Sequence, residues 1–204
     1  MSFIYTPSSS GSQATNHEGS SFTGTNGIGT ATAATLTLTI PSSTTATTWA
    51  NYPRLTKNFV ENQMRLDYRV RIAATSGGNT DTWLQMGLRD GSGNQAFMMQ
   101  ANAGSGAVDG YDSSALVFTV GGAFSFGGDE WLRVTNRDGH YTYWTGLGSD
   151  LEGVEWTIRA RTISNNIPAS QWTYSYLTLH MHQGSGAAGT VSAQWADVQT
   201  TVLL

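Results

Sequence analysis

Along most of this chain the apolar residues return at every second position, and runs of that pattern end at Gly, Asn, Asp or Pro. In residues 64–72, Leu66, Tyr68, Val70 and Ile72 fall on one side, while Arg65, Asp67, Arg69 and Arg71 fall on the other. Residues 83–89 repeat the arrangement, with Leu84, Met86 and Leu88 set against Trp83, Gln85, Gly87 and Arg89. In 174–183, Leu177, Leu179 and Met181 oppose Tyr174, Tyr176, Thr178, His180 and His182. A side that reverses at each residue is the mark of a pleated strand with one face buried. Between the runs, Asp90-Gly91-Ser92-Gly93-Asn94 and Asn136-Arg137-Asp138-Gly139 supply residues that tolerate positive φ in tight turns. Helical periodicity is absent apart from one turn expected near residues 55–61. About a dozen short strands joined by Gly-rich turns predict an all-β chain, a two-sheet antiparallel β-sandwich of jelly-roll type.

The first 32 residues differ from the rest. They are rich in Ser, Thr, Gly and Asn and poor in charge, so residues 1–32 are expected to form an arm ordered against the domain or a neighbouring subunit, a flexible linker being the alternative. Residues 33–204 then form the sandwich. A chain of 204 residues buries roughly 70% of its unfolded surface and needs no covalent staple. It has no cysteine, which excludes disulfides and thiolate zinc sites. The net charge of -4 argues against a nucleic-acid partner, because phosphate binding draws on a basic surface. Lys57 is the only lysine, so nearly all positive charge sits on planar guanidinium groups suited to fixed pairs and ring stacking. The opening residues show no basic segment followed by an apolar run, so no export signal is expected. No stretch reaches the ~20 apolar residues of a membrane span.

Residues 131–156 concentrate the aromatic and guanidinium side chains. Trp131-Leu132-Arg133 begins a strand, Arg137-Asp138-Gly139 turns it, Tyr141 opens an aromatic strand, and Ser149 leads through a second turn to Trp156. That outline resembles the concanavalin A-like lectin/glucanase domains, particularly those found beside glycoside hydrolases. The Pro53-Arg54-Leu55 strand, the Met86-Gly87-Leu88-Arg89-Asp90 strand end and the final Trp195-Ala196-Asp197-Val198 are similar to the same family, so the resemblance covers roughly residues 50–202. It implies a concanavalin A-like jelly roll. The chain departs from the pattern in a longer turn, Ser149 to Gly153, in the bulky Trp144, and in Ala196, which stands where the family has an Asp and weakens its calcium role.

Glycoside hydrolysis needs two carboxyl groups about 5–9.5 Å apart. No strand offers Glu-x-Glu or Glu-x-Asp, Asp150 and Glu152 share a turn, and Gly-x-Ser-x-Gly is missing. The chain is therefore expected not to be an enzyme. No cofactor is expected, though calcium stays possible, held by loop oxygens of Asp90, Asp129, Asp138 or Asp150. His180 and His182 share a strand face, but two ligands do not make a metal site. The candidate ligand face comprises Arg69, Arg71, Trp83, Gln85, Arg89, Arg133, Tyr174, Tyr176, His180 and His182. Three readings of it stay open: a glycan surface, a subunit interface, or structural Arg–Asp ladders built around residues such as Asp67. The functional expectation is a non-enzymatic structural or adhesion protein on the exterior of a bacteriophage particle, a decoration, fibre or knob subunit. Its partners would be other virion subunits or a second copy of itself, with cell-surface glycan as a further ligand. The alternative is a carbohydrate-binding accessory domain of a secreted glycoside hydrolase, acting outside the cell.

Overall fold

The computed structural model describes residues 23–26, 30–32, 37–40, 53–58, 65–77, 82–102, 105–122, 129–137, 140–149, 152–162, 172–181 and 189–201. Among them the only regular elements are strands: β1 (Thr23–Thr25), β2 (Thr30–Thr32), β3 (Thr37–Ile40), β4 (Arg54–Asn58), β5 (Arg65–Gly77), β6 (Thr82–Asp90), β7 (Gln95–Asn102), β8 (Val108–Asp112), β9 (Ala115–Val120), β10 (Glu130–Arg137), β11 (His140–Leu147), β12 (Glu155–Arg161), β13 (Trp172–Met181) and β14 (Gly189–Thr201). They form two seven-stranded sheets. The first runs β1-β4-β13-β6-β7-β8-β9 and the second β12-β11-β10-β5-β14-β3-β2. Every ladder is antiparallel, as the expected sandwich requires. No helix of the described residues is long and apolar enough to cross a membrane.

Two segments differ from the sequence expectation. Where a turn of helix was expected near residues 55–61, Arg54–Asn58 is the strand β4, paired with β13 and β1, and residues 59–61 lie outside the described residues. The second is β8 (Val108–Asp112), a short strand among Gly and Ala neighbours that the alternating runs do not mark. β1 and β2 lie inside the stretch assigned to the N-terminal arm, and each edges one of the two sheets; apart from Asn26, the rest of that stretch is outside the described residues.

The pleat sends alternate side chains into the space between the layers. From the first sheet come Leu55, Leu84, Met86, Leu88, Phe97, Met99 and Val108, and from the second Tyr68, Val70, Leu132, Val134, Tyr141 and Tyr143, all with no exposed surface. Aromatic rings join the layers. Phe97 lies 5.3 Å from Tyr141 and 6.4 Å, edge-on, from Tyr143, and Phe118 meets Tyr143 at 5.7 Å. Gly110 makes room for this contact, since a Cβ there would come within 2.0 Å of the Phe118 ring. Edge strands are less covered: on β12, Ile158 is exposed.

Tyr143 also ties the sheets by a polar bond. Its hydroxyl donates to the Tyr111 carbonyl at 2.8 Å, satisfying a buried O–H that would otherwise be costly. Burial, reinforced by the negative charge of Asp112 and by Tyr141, holds the Tyr143 hydroxyl far above its ordinary range. The folded chain thus keeps this proton more firmly than the unfolded chain does. Its contribution to stability is complete below the unfolded pKa of about 10 and is lost as pH rises beyond it. Denaturant unfolding followed from neutral pH to above about 10 should show a steep alkaline loss of stability. Tyr143→Phe should flatten that loss while costing about 1 kcal/mol at neutral pH; an identical alkaline slope in both proteins would contradict this assignment.

Candidate functional site

With Tyr68, Val70, Leu132 and Val134 turned inward, the second sheet directs Asp67, Arg69, Arg71, Trp131 and Arg133 to its outer face. Register places Arg69 opposite Arg133 and Arg71 opposite Trp131. Asp67 accepts a two-pronged bond from Arg133, at 2.8 Å from Nε and 2.6 Å from Nη2, and stands 3.6 Å from Arg69 Nε. The Arg133 guanidinium lies 5.6 Å from the Trp144 ring and 5.1 Å from that of Trp156. Arg71 covers Trp131 at 5.8 Å and donates to Asp129 at 3.0 Å. Trp131, only 2% exposed, meets Trp156 edge-on at 6.1 Å and donates its indole N–H to the Gly148 carbonyl at 2.8 Å. Gly148 must be glycine here, because a Cβ would sit 2.8 Å from the Val154 Cα. These contacts lock the outer layer of residues 131–156 together as a guanidinium–indole stack.

The outer face of the first sheet is built differently. Leu84, Met86 and Leu88 point inward, so Trp83, Gln85 and Arg89 belong to the other face. Cross-strand register draws one continuous polar row across that face. Arg54 stands opposite Thr178, Thr178 opposite Gln85, Gln85 opposite Gln100, and Gln100 opposite Asp109; the row ends at Thr25 on β1 and Thr119 on β9. Gln85, Gln100 and Asp109 are 8%, 5% and 9% exposed although they turn away from the core. Half-buried Trp83, Met98 and Tyr111 flank them along their own strands, so the row lies recessed between larger side chains.

Asp109 sets the direction of the bonding. A carboxylate only accepts, so the Gln100 amide must turn its N–H toward it, at 3.1 Å, which leaves the Gln100 carbonyl to accept from Gln85 Nε2 at 2.8 Å. These bonds use Gln85 Nε2 and Asp109 Oδ2, and leave Gln85 Oε1 and Asp109 Oδ1 outside them. The Tyr111 hydroxyl, 3.5 Å from Gln100 Nε2, is kept protonated beyond its ordinary range by burial and by the Asp109 charge. Beside the polar row, Tyr176, Gly87, Met98 and Tyr111 are successive register partners. Gly87 adds no side chain between its neighbours. The row of hydrogen-bonding groups is thus flanked by Trp83 on one side and by Met98 and Tyr111 on the other.

The expected ligand face is therefore divided between two sheets. Arg69, Arg71 and Arg133 belong to the stack on the second sheet; Trp83, Gln85 and Arg89 belong to the first, with the β13 positions of Tyr174, Tyr176 and His180 opposite Arg89, Gly87 and Trp83. His182 lies outside the described residues. Arg89 is fastened to the adjoining turn, donating to the Gly93 carbonyl at 2.7 Å. Gln100, Asp109, Tyr111 and Arg54 were not anticipated in the site. The alternation of Val108 and Gly110 with Asp109 and Tyr111 was the available signal for two of them. Of the loop acids considered for calcium, Asp90 accepts from the backbone of Ser92 and Asn94 and from the Asn94 side chain, the last being the main reason its carboxyl lies below the usual range. Asp129 pairs with Arg71, and Asp138 and Asp150 lie outside the described residues. Among the described residues no three His, Cys, Asp or Glu side chains gather as a metal cluster.

No family model matches the chain, and no curated protein matches it. Solved structures do match. The alginate lyase AlgAT5, from polysaccharide lyase family 7, superposes with a TM-score of 0.56 at 8% identity, over 85% of this chain and 82% of its own. The CBM2 module of the evolved Dit of Lactobacillus casei BL23 phage J-1 gives 0.54 at 10% identity, over 94% of this chain and 84% of its own. The GH43 protein BlXynB from Bacillus licheniformis gives 0.51 at 11% identity, over 74% of this chain but 33% of its own.

The fold is a two-sheet antiparallel jelly roll.

On that jelly roll, the expectation that the chain is not an enzyme is overturned, because a lyase and a GH43 protein share the fold. The ground for it was a missing pair of strand carboxylates, a requirement of glycoside hydrolysis that does not extend to a lyase. Within the jelly roll, the second-sheet stack makes a separable prediction. Arg133→Lys removes the two-pronged geometry and the planar stacking, which should cost about 1–3 kcal/mol, or about 2–4 °C of melting temperature per kcal/mol. An unchanged melting temperature would mean that the stack contributes nothing.

Proposed function

We propose that the chain is a carbohydrate-binding domain that holds a glycan across the strands of its first sheet, over the row from Arg54 to Asp109. The recessed row itself carries the reading. Sugar hydroxyls need donors and acceptors at close intervals, and register partners on neighbouring strands repeat every ~4.8 Å. Four strand steps separate Arg54 from Asp109, about 19 Å in all, room for a short run of pyranose rings. The flat faces of those rings carry C–H groups that pack on aromatic surfaces, and Trp83 and Tyr111 border the row.

The structural likenesses support the same reading. A CBM2 module is among them, and in the GH43 protein the matched region is one part of a longer chain, which fits a binding module that works beside other domains. The phage Dit module, alike over 94% of this chain, favours a second setting for the same activity. In that setting the domain sits on the exterior of a phage particle, joined to other virion subunits or to copies of itself, and touches glycan on a cell surface.

A glycan array probed with the purified chain tests the binding. Gln85→Ala and Trp83→Ala should each weaken the bound signal by about tenfold or more, equivalent to about 1.4 kcal/mol. Arg71→Ala, on the opposite sheet, should bind as the parent does. Binding lost equally in all three variants, or no glycan retained by the parent, would count against the proposal.

A further inference from the structure

The charge of the row narrows the ligand further, and this step rests on the glycan-binding reading above. Asp109 ends the hydrogen-bonded run on β8 with one carboxylate oxygen engaged by Gln100 and the other outside the Gln85–Gln100–Asp109 bonds. The Gln85 group left outside those bonds is likewise a carbonyl oxygen. Beside the half-buried Tyr111 hydroxyl, this part of the face therefore presents two acceptor oxygens, one of them charged. Hydroxyl groups, which donate, match it.

Positive charge on this face stands elsewhere. Arg54 stands four strand steps along the row, about 19 Å from Asp109. Arg89 lies four residues along β6 from Gln85, about 13 Å away, and is bonded into the turn at Gly93. The backbone position of His180 is opposite Trp83, one row over. Lys57 is the register partner of Ser175 on β13. Thr119, the register partner of Asp109 on β9, carries no charge.

We infer that the first-sheet face selects uncharged glycans over uronate-containing ones, and that Asp109 is the residue that excludes the acidic sugars. An acidic sugar lying over β7 and β8 would bring its carboxylate against that of Asp109 in a recess where water screens poorly. Like charges so placed disfavour binding strongly. A neutral ring at the same position donates a hydroxyl to Asp109 Oδ1 instead, a charge-assisted bond.

The test is calorimetric titration of the full chain with neutral gluco-, xylo-, manno- and galacto-tetrasaccharides and with tetrauronates, at low and high salt. The parent should bind at least one neutral probe, and bind every tetrauronate at least about tenfold more weakly at low salt. That gap should narrow in high salt, which screens the repulsion, and close in Asp109→Asn, whose side chain keeps the shape and loses the charge. Melting curves establish that the variant is folded; should it not fold, the salt dependence of the parent decides. A tetrauronate that binds the parent as well as the best neutral probe overturns the inference and leaves glycan binding standing. So does a folded Asp109→Asn that preserves the gap. If no probe binds at all, the glycan-binding reading falls and takes this inference with it.

Discussion

The hydrogen bond from the Tyr143 hydroxyl to the Tyr111 carbonyl joins the two layers and fixes the strand that carries the site. Tyr143 hangs from the second sheet and reaches across the core to β8 of the first, at the point where the β8–β9 register slips between Gly110 and Tyr111. Around it, Phe97 and Phe118 pack against its ring. Because β8 is held from below, the side chains it shows on the other side, Asp109 and Tyr111, stand at fixed heights beside Gln100. A single buried donor thus couples core packing to the geometry of the outer row.

Much of this was legible in the sequence. β5, β6, β10 and β11 alternate so regularly that their two faces can be assigned residue by residue, and the layered architecture follows from them. What alternation does not contain is which sheet a strand joins, since that is decided by connections between distant segments. Arg69, Arg71 and Arg133 therefore seemed neighbours of Trp83 and Gln85, and they proved to lie on the opposite sheet. β4 was obscured for a local reason: the spacing of Leu55 and Phe59 fits a helical turn as well as a strand. Asp109 was obscured because β8 is short and sits among Gly and Ala. Gln100 lies on β7, and a glutamine attracts notice only once its neighbours are known.

The two outer faces use the same pleat for different ends. On the second sheet, guanidinium groups are matched to a carboxylate and to indole rings, and the hydrogen-bonding capacity of Arg133 toward Asp67 is met within the protein. On the first, amides are chained to a carboxylate, and the chain ends in oxygens that remain outside it. The first arrangement stabilises; the second is suited to holding a hydroxylated ligand. The same fold serves an alginate lyase and a phage-borne CBM2 module, so the jelly roll alone does not decide function, and the chemistry of the row must.

The division of labour between the faces can be read directly from side-chain N–H resonances during titration with a neutral tetrasaccharide that the chain binds. The account predicts that the amide signals of Gln85 and Gln100 and the indole signal of Trp83 move together as the sugar is added, while the indole signals of Trp131, Trp144 and Trp156 stay in place. Movement of the second-sheet indoles with the amides of Gln85 and Gln100 unmoved would contradict it.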